Sequence, residues 1–288
     1  MPTNEPKPTK AVRRDEARLK ALALREQQKK RDRRNRIVAI SGLVAALAVL
    51  AVVVVIILGQ GKSTTSVAFS GTPPTISDSN PPSTSNPDGG IPVGTTGAAG
   101  TSSPDGAVKV DIYLDYMCPV CGDFEKVNGA SLTALREKGD ITIVYHPVSI
   151  LDRYSQSTEY STRAANAVAI VADAAPEAYE AFHEALFANQ PTENTAGLTD
   201  AKIAELATGA GVPQTVADTF TQKADGKDWL SRAPFVAALT AQSTSDLNAL
   251  GQQMQTPTIL LNGKLLDTNT YNWQVDGQLA AAIAAAKG

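Results

Sequence analysis

DYMCPVCGDF, residues 115–124, contains both cysteines of the 288-residue chain, Cys118 and Cys121. A fold held together by disulfides would distribute cysteines along the chain, and a structural zinc site would need two further ligands. The chain has only two histidines, His146 and His183, to supply them. A disulfide between residues 118 and 121 would close a very short loop and stabilise little. The pair therefore favours a redox-active dithiol over a metal site or a structural disulfide.

The cysteines lie where the sequence pattern changes from strand to helix. Residues 108–116, VKVDIYLDY, alternate as a strand does, and after Pro119 the apolar residues follow helical spacing to about Gly139. Pro119 suits the first turn of a helix, where its missing N–H is no loss. Residues 141–151, ITIVYHPVSIL, predict a second strand. Strand, helix and strand in this order predict a parallel βαβ unit.

The rest of this region predicts a block of helices followed by a hairpin and a last helix. Helical patterns cover residues 160–175, 176–190, 200–209, 213–222 and 229–250, the last interrupted by Pro234. In TILLNGKLLD, residues 258–267, Asn262–Gly263 is a strong hairpin signal. Residues 276–287 predict a closing helix. The order predicts an α/β, thioredoxin-like domain over residues 107–288 with a helical insertion at about residues 152–250.

The first 106 residues predict three segments outside this domain. Residues 1–36 carry a net charge of +8, residues 37–58 contain no charged residue, and residues 59–106 are rich in Gly, Ser, Thr and Pro. A 22-residue uncharged span is long enough to cross a membrane, and the basic sequence before it predicts a cytoplasmic N-terminus. A cleaved signal peptide is the alternative, but its apolar region would be shorter. We expect a basic tail that contacts lipid rather than nucleic acid, a single transmembrane helix and a flexible linker.

The residues of the predicted site have different expected roles. Cys118 lies at the helix N-terminus, whose free N–H groups and dipole favour a thiolate. Cys121 lies about one turn further along and is expected to be more buried, so it would resolve a mixed disulfide formed by Cys118. Asp115 is a candidate proton acceptor, although a helix cap or a solvent-facing side chain is the favoured interpretation. Tyr116 and Met117 either form an apolar lip for unfolded substrate or pack internally.

A proline after the helical block is the second feature of the predicted site. QMQTPTILL places Pro257 at the first residue of a predicted strand, directly after Thr256. An ordinary trans proline is tolerated there, because the start of a strand need not donate a hydrogen bond. This position is also where the thioredoxin fold brings a cis proline opposite the cysteines. We therefore expect a cis bond between Thr256 and Pro257.

DYMCPVC, YEAFHEALFANQP and TPTILLNG together resemble the DsbA family of extracytoplasmic thiol-disulfide oxidoreductases, especially its membrane-anchored, BdbD-like forms of Gram-positive bacteria. The resemblance implies Cys118 as nucleophile, Cys121 as resolving thiol and Pro257 as the cis proline. It also implies that the helical block caps the site. Many members have Pro-His between the cysteines, whereas this chain has Pro119–Val120, and a valine cannot donate a hydrogen bond to the thiolate.

The resemblance also implies an activity and partners. The leading hypothesis is a membrane-tethered enzyme that introduces disulfides into exported proteins without a bound cofactor or metal. Its expected partners are reduced or unfolded exported proteins and a membrane redox protein that resets the thiols. One alternative is a reductase or isomerase with the same fold. Another is a non-catalytic module that binds unfolded or partner proteins, and the intact cysteine pair argues against it.

Overall fold

A mixed β-sheet organises residues 67–287, the part of the chain that the computed structural model describes. Its five strands lie in the order β1-β3-β2-β4-β5. They are β1 (Ile91–Val93), β2 (Val108–Leu114), β3 (Ile141–Pro147), β4 (Thr258–Leu261) and β5 (Lys264–Leu265). The pairing of β2 with β3 is parallel, and the other neighbouring strands pair antiparallel. The sheet therefore contains the predicted parallel pair at its centre.

Seven α-helices accompany the sheet within the described residues. They are α1 (Pro119–Glu137), α2 (Tyr160–Ala174), α3 (Tyr179–Ala188), α4 (Asp200–Gly209), α5 (Gln214–Ala217), α6 (Ala233–Ala249) and α7 (Gln278–Ala286). The helix α1 connects β2 to β3, which completes the predicted βαβ unit. The five helices α2 to α6 lie between β3 and β4. The prediction of a thioredoxin-like fold with a helical insertion is confirmed.

The central strand β2 is buried on both faces. Ile112 and Leu114 belong to the main core, which also contains Phe124 of α1. Tyr113 points the other way and packs with Leu247 of α6. Alternating side chains of one strand thus fill two layers.

Residues 67–106 differ from the flexible linker predicted for residues 59–106. The strand β1 pairs antiparallel with the edge of β3. Ile76, Ile91 and Val93 are buried in the core. The linker prediction is therefore corrected from residue 67 onward. The segment has the composition of a linker, but its few apolar residues are placed so that they enter the core.

Two helices and the hairpin refine the sequence-based boundaries. Pro234 lies in the first turn of α6, where its missing N–H is tolerated, rather than interrupting a helix. The helix predicted at 213–222 is reduced to the four residues of α5. Beyond it the Thr219 hydroxyl bonds to the Val216 carbonyl at 2.7 Å, a local bond that competes with helix formation. At the hairpin, Asn262–Gly263 has positive φ at both residues, as a tight β-turn requires.

The predicted basic tail and transmembrane helix, residues 1–36 and 37–58, lie outside the described residues. Among the helices between residues 67 and 287, none is both long and apolar enough to cross a bilayer.

Candidate active site

The two cysteines lie at the start of α1, directly after the end of β2. Cys118 is the N-cap residue of α1 and Pro119 follows in the first turn. The backbone N–H of Cys121 donates to the Cys118 carbonyl at 3.0 Å, so both residues belong to the same turn. Both thiols are free. Cys118 is 6% exposed and Cys121 is 1% exposed, so Cys118 is the thiol nearer to solvent.

The two thiols have opposite pKa shifts. A hydrogen bond from the Cys121 thiol lowers the pKa of Cys118 to about 6, assisted by the Thr256 side chain and by the backbone N–H groups of Cys121 and Val120. Burial opposes this change. Burial raises the pKa of Cys121, and the hydrogen bond to Cys118 raises it further. Near neutral pH the pair therefore holds one thiolate on Cys118 and one proton on Cys121.

The loop before β4 completes the surroundings of Cys118. The Cys118 sulfur lies 3.3 Å from the Thr256 carbonyl oxygen, to which it donates when it is protonated. The Thr256–Pro257 peptide bond is cis, in agreement with the expectation from the sequence. These two residues lie 138 positions or more from Cys118 along the chain, and the fold brings them to the reactive sulfur.

The side chains of the two residues between the cysteines can make only apolar contacts with another molecule. Val120 is 43% exposed, and Pro119 beside it is also exposed. Neither side chain has a hydrogen-bonding atom. Stabilisation of the Cys118 thiolate therefore comes from backbone N–H groups, the Cys121 thiol and Thr256 rather than from the residues between the two thiols.

Asp115 is fully buried, so the favoured interpretation of a helix cap or a solvent-facing side chain is wrong. One carboxylate oxygen accepts from the Met117 N–H at 2.8 Å and from the Ser161 hydroxyl at 2.7 Å. The other accepts from the N–H groups of Ile150 and Leu151 at 2.9 and 3.0 Å. Burial raises the pKa of Asp115 to about 7 against the opposing effect of these hydrogen bonds. Its role as a proton acceptor stays a prediction.

Tyr116 and Met117 are buried, so they pack internally and do not form a lip. The Tyr116 hydroxyl is 2.9 Å from Nδ1 of His183 on α3. The other ring nitrogen of His183 is 3.2 Å from Oε1 of Glu125 on α1. This network joins the loop before Cys118 to both α1 and α3.

Gln190, just after α3, contacts the cysteine loop and was not identified from the sequence. Its Nε2 donates to the carbonyl of Cys118 at 2.8 Å and to the carbonyl of Tyr116 at 3.2 Å. The only sequence signal for it is a polar residue at the end of the stretch YEAFHEALFANQP. That signal does not specify a partner, because the contact spans 72 residues of chain.

No group of three or more His, Cys, Asp or Glu side chains between residues 67 and 287 is arranged to hold a metal ion. His183 is engaged by Tyr116 and Glu125 as described, and the Nε2 atom of His146 is 3.1 Å from Oδ1 of buried Asp111. Both histidines thus have partners within the fold.

Comparison with known proteins adds a family and several similar structures. A family model described as Thioredoxin matches residues 95–280. MdbA, a thiol-disulfide oxidoreductase of Actinomyces oris, is 21% identical with a TM-score of 0.54, and the match covers 74% of this chain and 97% of MdbA. BdbD of Bacillus subtilis is 22% identical with a TM-score of 0.52, covering 70% of this chain and 95% of BdbD. These similarities support the thioredoxin-like fold with its helical insertion.

A curated relative is similar in sequence to part of this chain. The serine/threonine-protein kinase PknE of Mycobacterium tuberculosis is 35% identical over 147 residues, or 49% of this chain. This chain spans about a quarter of the length of PknE, because the match covers 25% of the kinase.

Proposed function

Because the chain belongs to the thioredoxin family and has two free thiols at the start of α1, we propose that it is a DsbA-type thiol-disulfide oxidoreductase that oxidises exported proteins. The observation that carries this proposal is the position of Cys118 as the N-cap of α1 with the more buried Cys121 in the same turn, an arrangement that lowers the pKa of Cys118 and raises that of Cys121. A stable Cys118 thiolate favours the reduced form of the pair, and a pair that prefers its reduced form is an oxidant toward other proteins.

The reaction proceeds in two thiol-disulfide exchanges. A substrate thiolate attacks Sγ of Cys118 in the Cys118–Cys121 disulfide, so that a substrate–Cys118 bond forms and Cys121 leaves as a thiolate and takes a proton. A second substrate thiolate then attacks the substrate sulfur of the mixed disulfide and releases Cys118 as a thiolate. The substrate has lost two electrons and gained a disulfide. A membrane redox partner would accept these two electrons and restore the Cys118–Cys121 disulfide.

The direction of electron flow is tested by the reduction potential of the full-length chain. Equilibration with glutathione should give a value well above that of thioredoxin, about −270 mV, and closer to that of DsbA, about −120 mV. The chain should also form disulfides in a reduced, unfolded test protein. A potential near −270 mV would support the alternative of a reductase. Absence of exchange in either direction would support a non-catalytic binding module.

We also propose that the domain is tethered outside the cytoplasmic membrane. The uncharged span at residues 37–58 and the basic residues before it support this arrangement. External protease should release the domain from intact cells that lack a barrier wall. Protection until the cells are lysed would place the domain in the cytoplasm and overturn the orientation.

A further inference from the structure

Gln190, in the segment just after α3, contacts the backbone of the cysteine loop through its side chain. Nε2 of Gln190 donates to the Cys118 carbonyl at 2.8 Å and to the Tyr116 carbonyl at 3.2 Å. The same Cys118 carbonyl accepts from the N–H groups of Cys121 at 3.0 Å and Gly122 at 3.2 Å. One amide from the helical insertion therefore joins the first turn of α1 and fixes the peptide that follows the reactive thiol.

The first turn of α1 is shaped to receive this amide. A Cβ atom at Gly122 would lie 2.2 Å from Oε1 of Gln190, much closer than any real contact. Any side chain at position 122 would therefore displace the Gln190 amide. Gly129, also on α1, does not face a comparable contact. A Cβ atom there would meet only Oε2 of Glu125, at 3.3 Å.

This contact has a consequence for the thiolate because the usual side-chain donor is missing. The side chain of Val120 cannot donate a hydrogen bond. The backbone N–H groups of Val120 and Cys121 support the Cys118 thiolate instead. The direction in which these two N–H groups point depends on the orientation of the peptide unit that follows Cys118. The N–H groups of Gln190 also place positive partial charge against the Cys118 carbonyl, which would otherwise oppose a negative charge on the same residue.

We propose that Gln190 is a positioning residue that orients the Cys118 peptide and thereby maintains Cys118 as a thiolate. The inference rests on the proposed role of Cys118 as the sulfur that bonds to the substrate and leaves as a thiolate, and it assigns part of the control of that sulfur to the helical insertion. Gln190 does not touch the sulfur itself in the hydrogen bonds that the structure shows. Its effect is exerted through the backbone.

The test is a pH titration of thiolate absorbance at 240 nm on the reduced, full-length chain in detergent. Gln190→Met keeps the length of the side chain and loses the donor. Loss of about one hydrogen bond should raise the Cys118 pKa by roughly 0.5–1 unit, which lowers the thiolate fraction at pH 6 from about one half to about 10–25%. Asn189→Ala is the matched control, since among residues 67–287 the Asn189 side chain donates only to the Ala185 carbonyl one turn earlier.

A second variant breaks the same contact without changing Gln190. Gly122→Ala should displace the amide and raise the pKa as Gln190→Met does, whereas Gly129→Ala should leave it unchanged. The double variant Gly122→Ala/Gln190→Met should show no rise beyond that of Gln190→Met, because both changes remove one contact. Far-UV circular dichroism of each variant confirms that the fold is retained.

An unchanged Cys118 pKa in both Gln190→Met and Gly122→Ala overturns the inference. A rise of this pKa in Gln190→Ala that Gln190→Met does not reproduce also overturns it, because packing alone would then be responsible. The titration requires no turnover. A wild-type chain that exchanges disulfides while both variants titrate normally refutes the role of Gln190 and leaves the proposed function standing. A chain with the predicted shifts that exchanges no disulfides refutes the function and leaves the role of Gln190 standing.

Discussion

At the scale of single residues, the reactivity of Cys118 depends first on its neighbour Cys121, whose thiol donates to it. The pKa of Cys118 is lowered from 9.0 to about 6, so the thiolate persists as the pH falls toward 6. Alkylation of the reduced chain by iodoacetamide should therefore reach half its maximal rate near pH 6 and be constant above about pH 7.5.

Replacement of Cys121 separates its donor role from its redox role. In Cys121→Ala the donor is lost, so the midpoint of alkylation should move toward pH 9. In Cys121→Ser a hydroxyl can still donate, and the midpoint should move less. Equal midpoints in the two variants would show that the Cys121 donor does not control the Cys118 pKa.

The same two sulfurs predict which variant traps a substrate. Cys118 is the more exposed sulfur and has the lower pKa. The Cys121→Ser variant should accumulate mixed disulfides with reduced substrate proteins through Cys118, visible on non-reducing gels. Cys118→Ser is the matched variant and should trap almost none. Trapping only in Cys118→Ser would reverse the proposed roles.

At the scale of elements, Asp115 joins the end of β2 to the start of α2 and to the loop after β3. Asp115→Asn replaces one accepting oxygen by a donor and leaves buried N–H groups unpaired. We expect a loss of about 2 kcal/mol or more in the free energy of unfolding, measured with urea at pH 8. Ser161→Ala removes one donor and leaves the three N–H groups on the carboxylate, so it should cost about 1 kcal/mol.

The pH dependence of stability gives an independent check of the Asp115 pKa. The folded-state pKa is raised from 3.8 to about 7, so the folded chain binds this proton more tightly than the unfolded chain. The stabilisation is complete below about pH 4 and is lost as the pH rises through 7. Asp115→Asn should therefore flatten the stability profile between pH 4 and 7. An unaltered slope would show that Asp115 does not titrate in this range.

The elements of the site were predictable where local pattern decides the structure. The change from strand to helical period around Pro119 located both thiols, and Asn262–Gly263 located the hairpin. The burial of Asp115 was not predictable, because the N–H groups that satisfy it belong to residues about 35 positions away. The role of Gln190 was not predictable for the same reason, because nothing near it in the sequence indicates the carbonyls to which it donates.

At the scale of the whole molecule, the segment from residue 67 to β2 belongs to the domain. Its sequence predicts a linker because Gly, Ser, Thr and Pro dominate its composition, and a three-residue strand leaves almost no periodic signal. Ile91→Ala should lower the free energy of unfolding by about 2–4 kcal/mol, because Ile91 is fully buried. Thr72→Ala, at an exposed position, should change it by less than about 0.5 kcal/mol. Equal stabilities in urea would restore the linker interpretation.

The lengths of the outer strands bear on aggregation. The sheet ends on one side at β1, three residues long, and on the other at β5, two residues long. A long exposed edge strand offers unpaired N–H and C=O groups to any extended chain and can template aggregation. In the proposed function the chain works among unfolded polypeptides and would meet such extended chains constantly. The short outer strands β1 and β5 leave little edge on which an extended chain could add itself to the sheet.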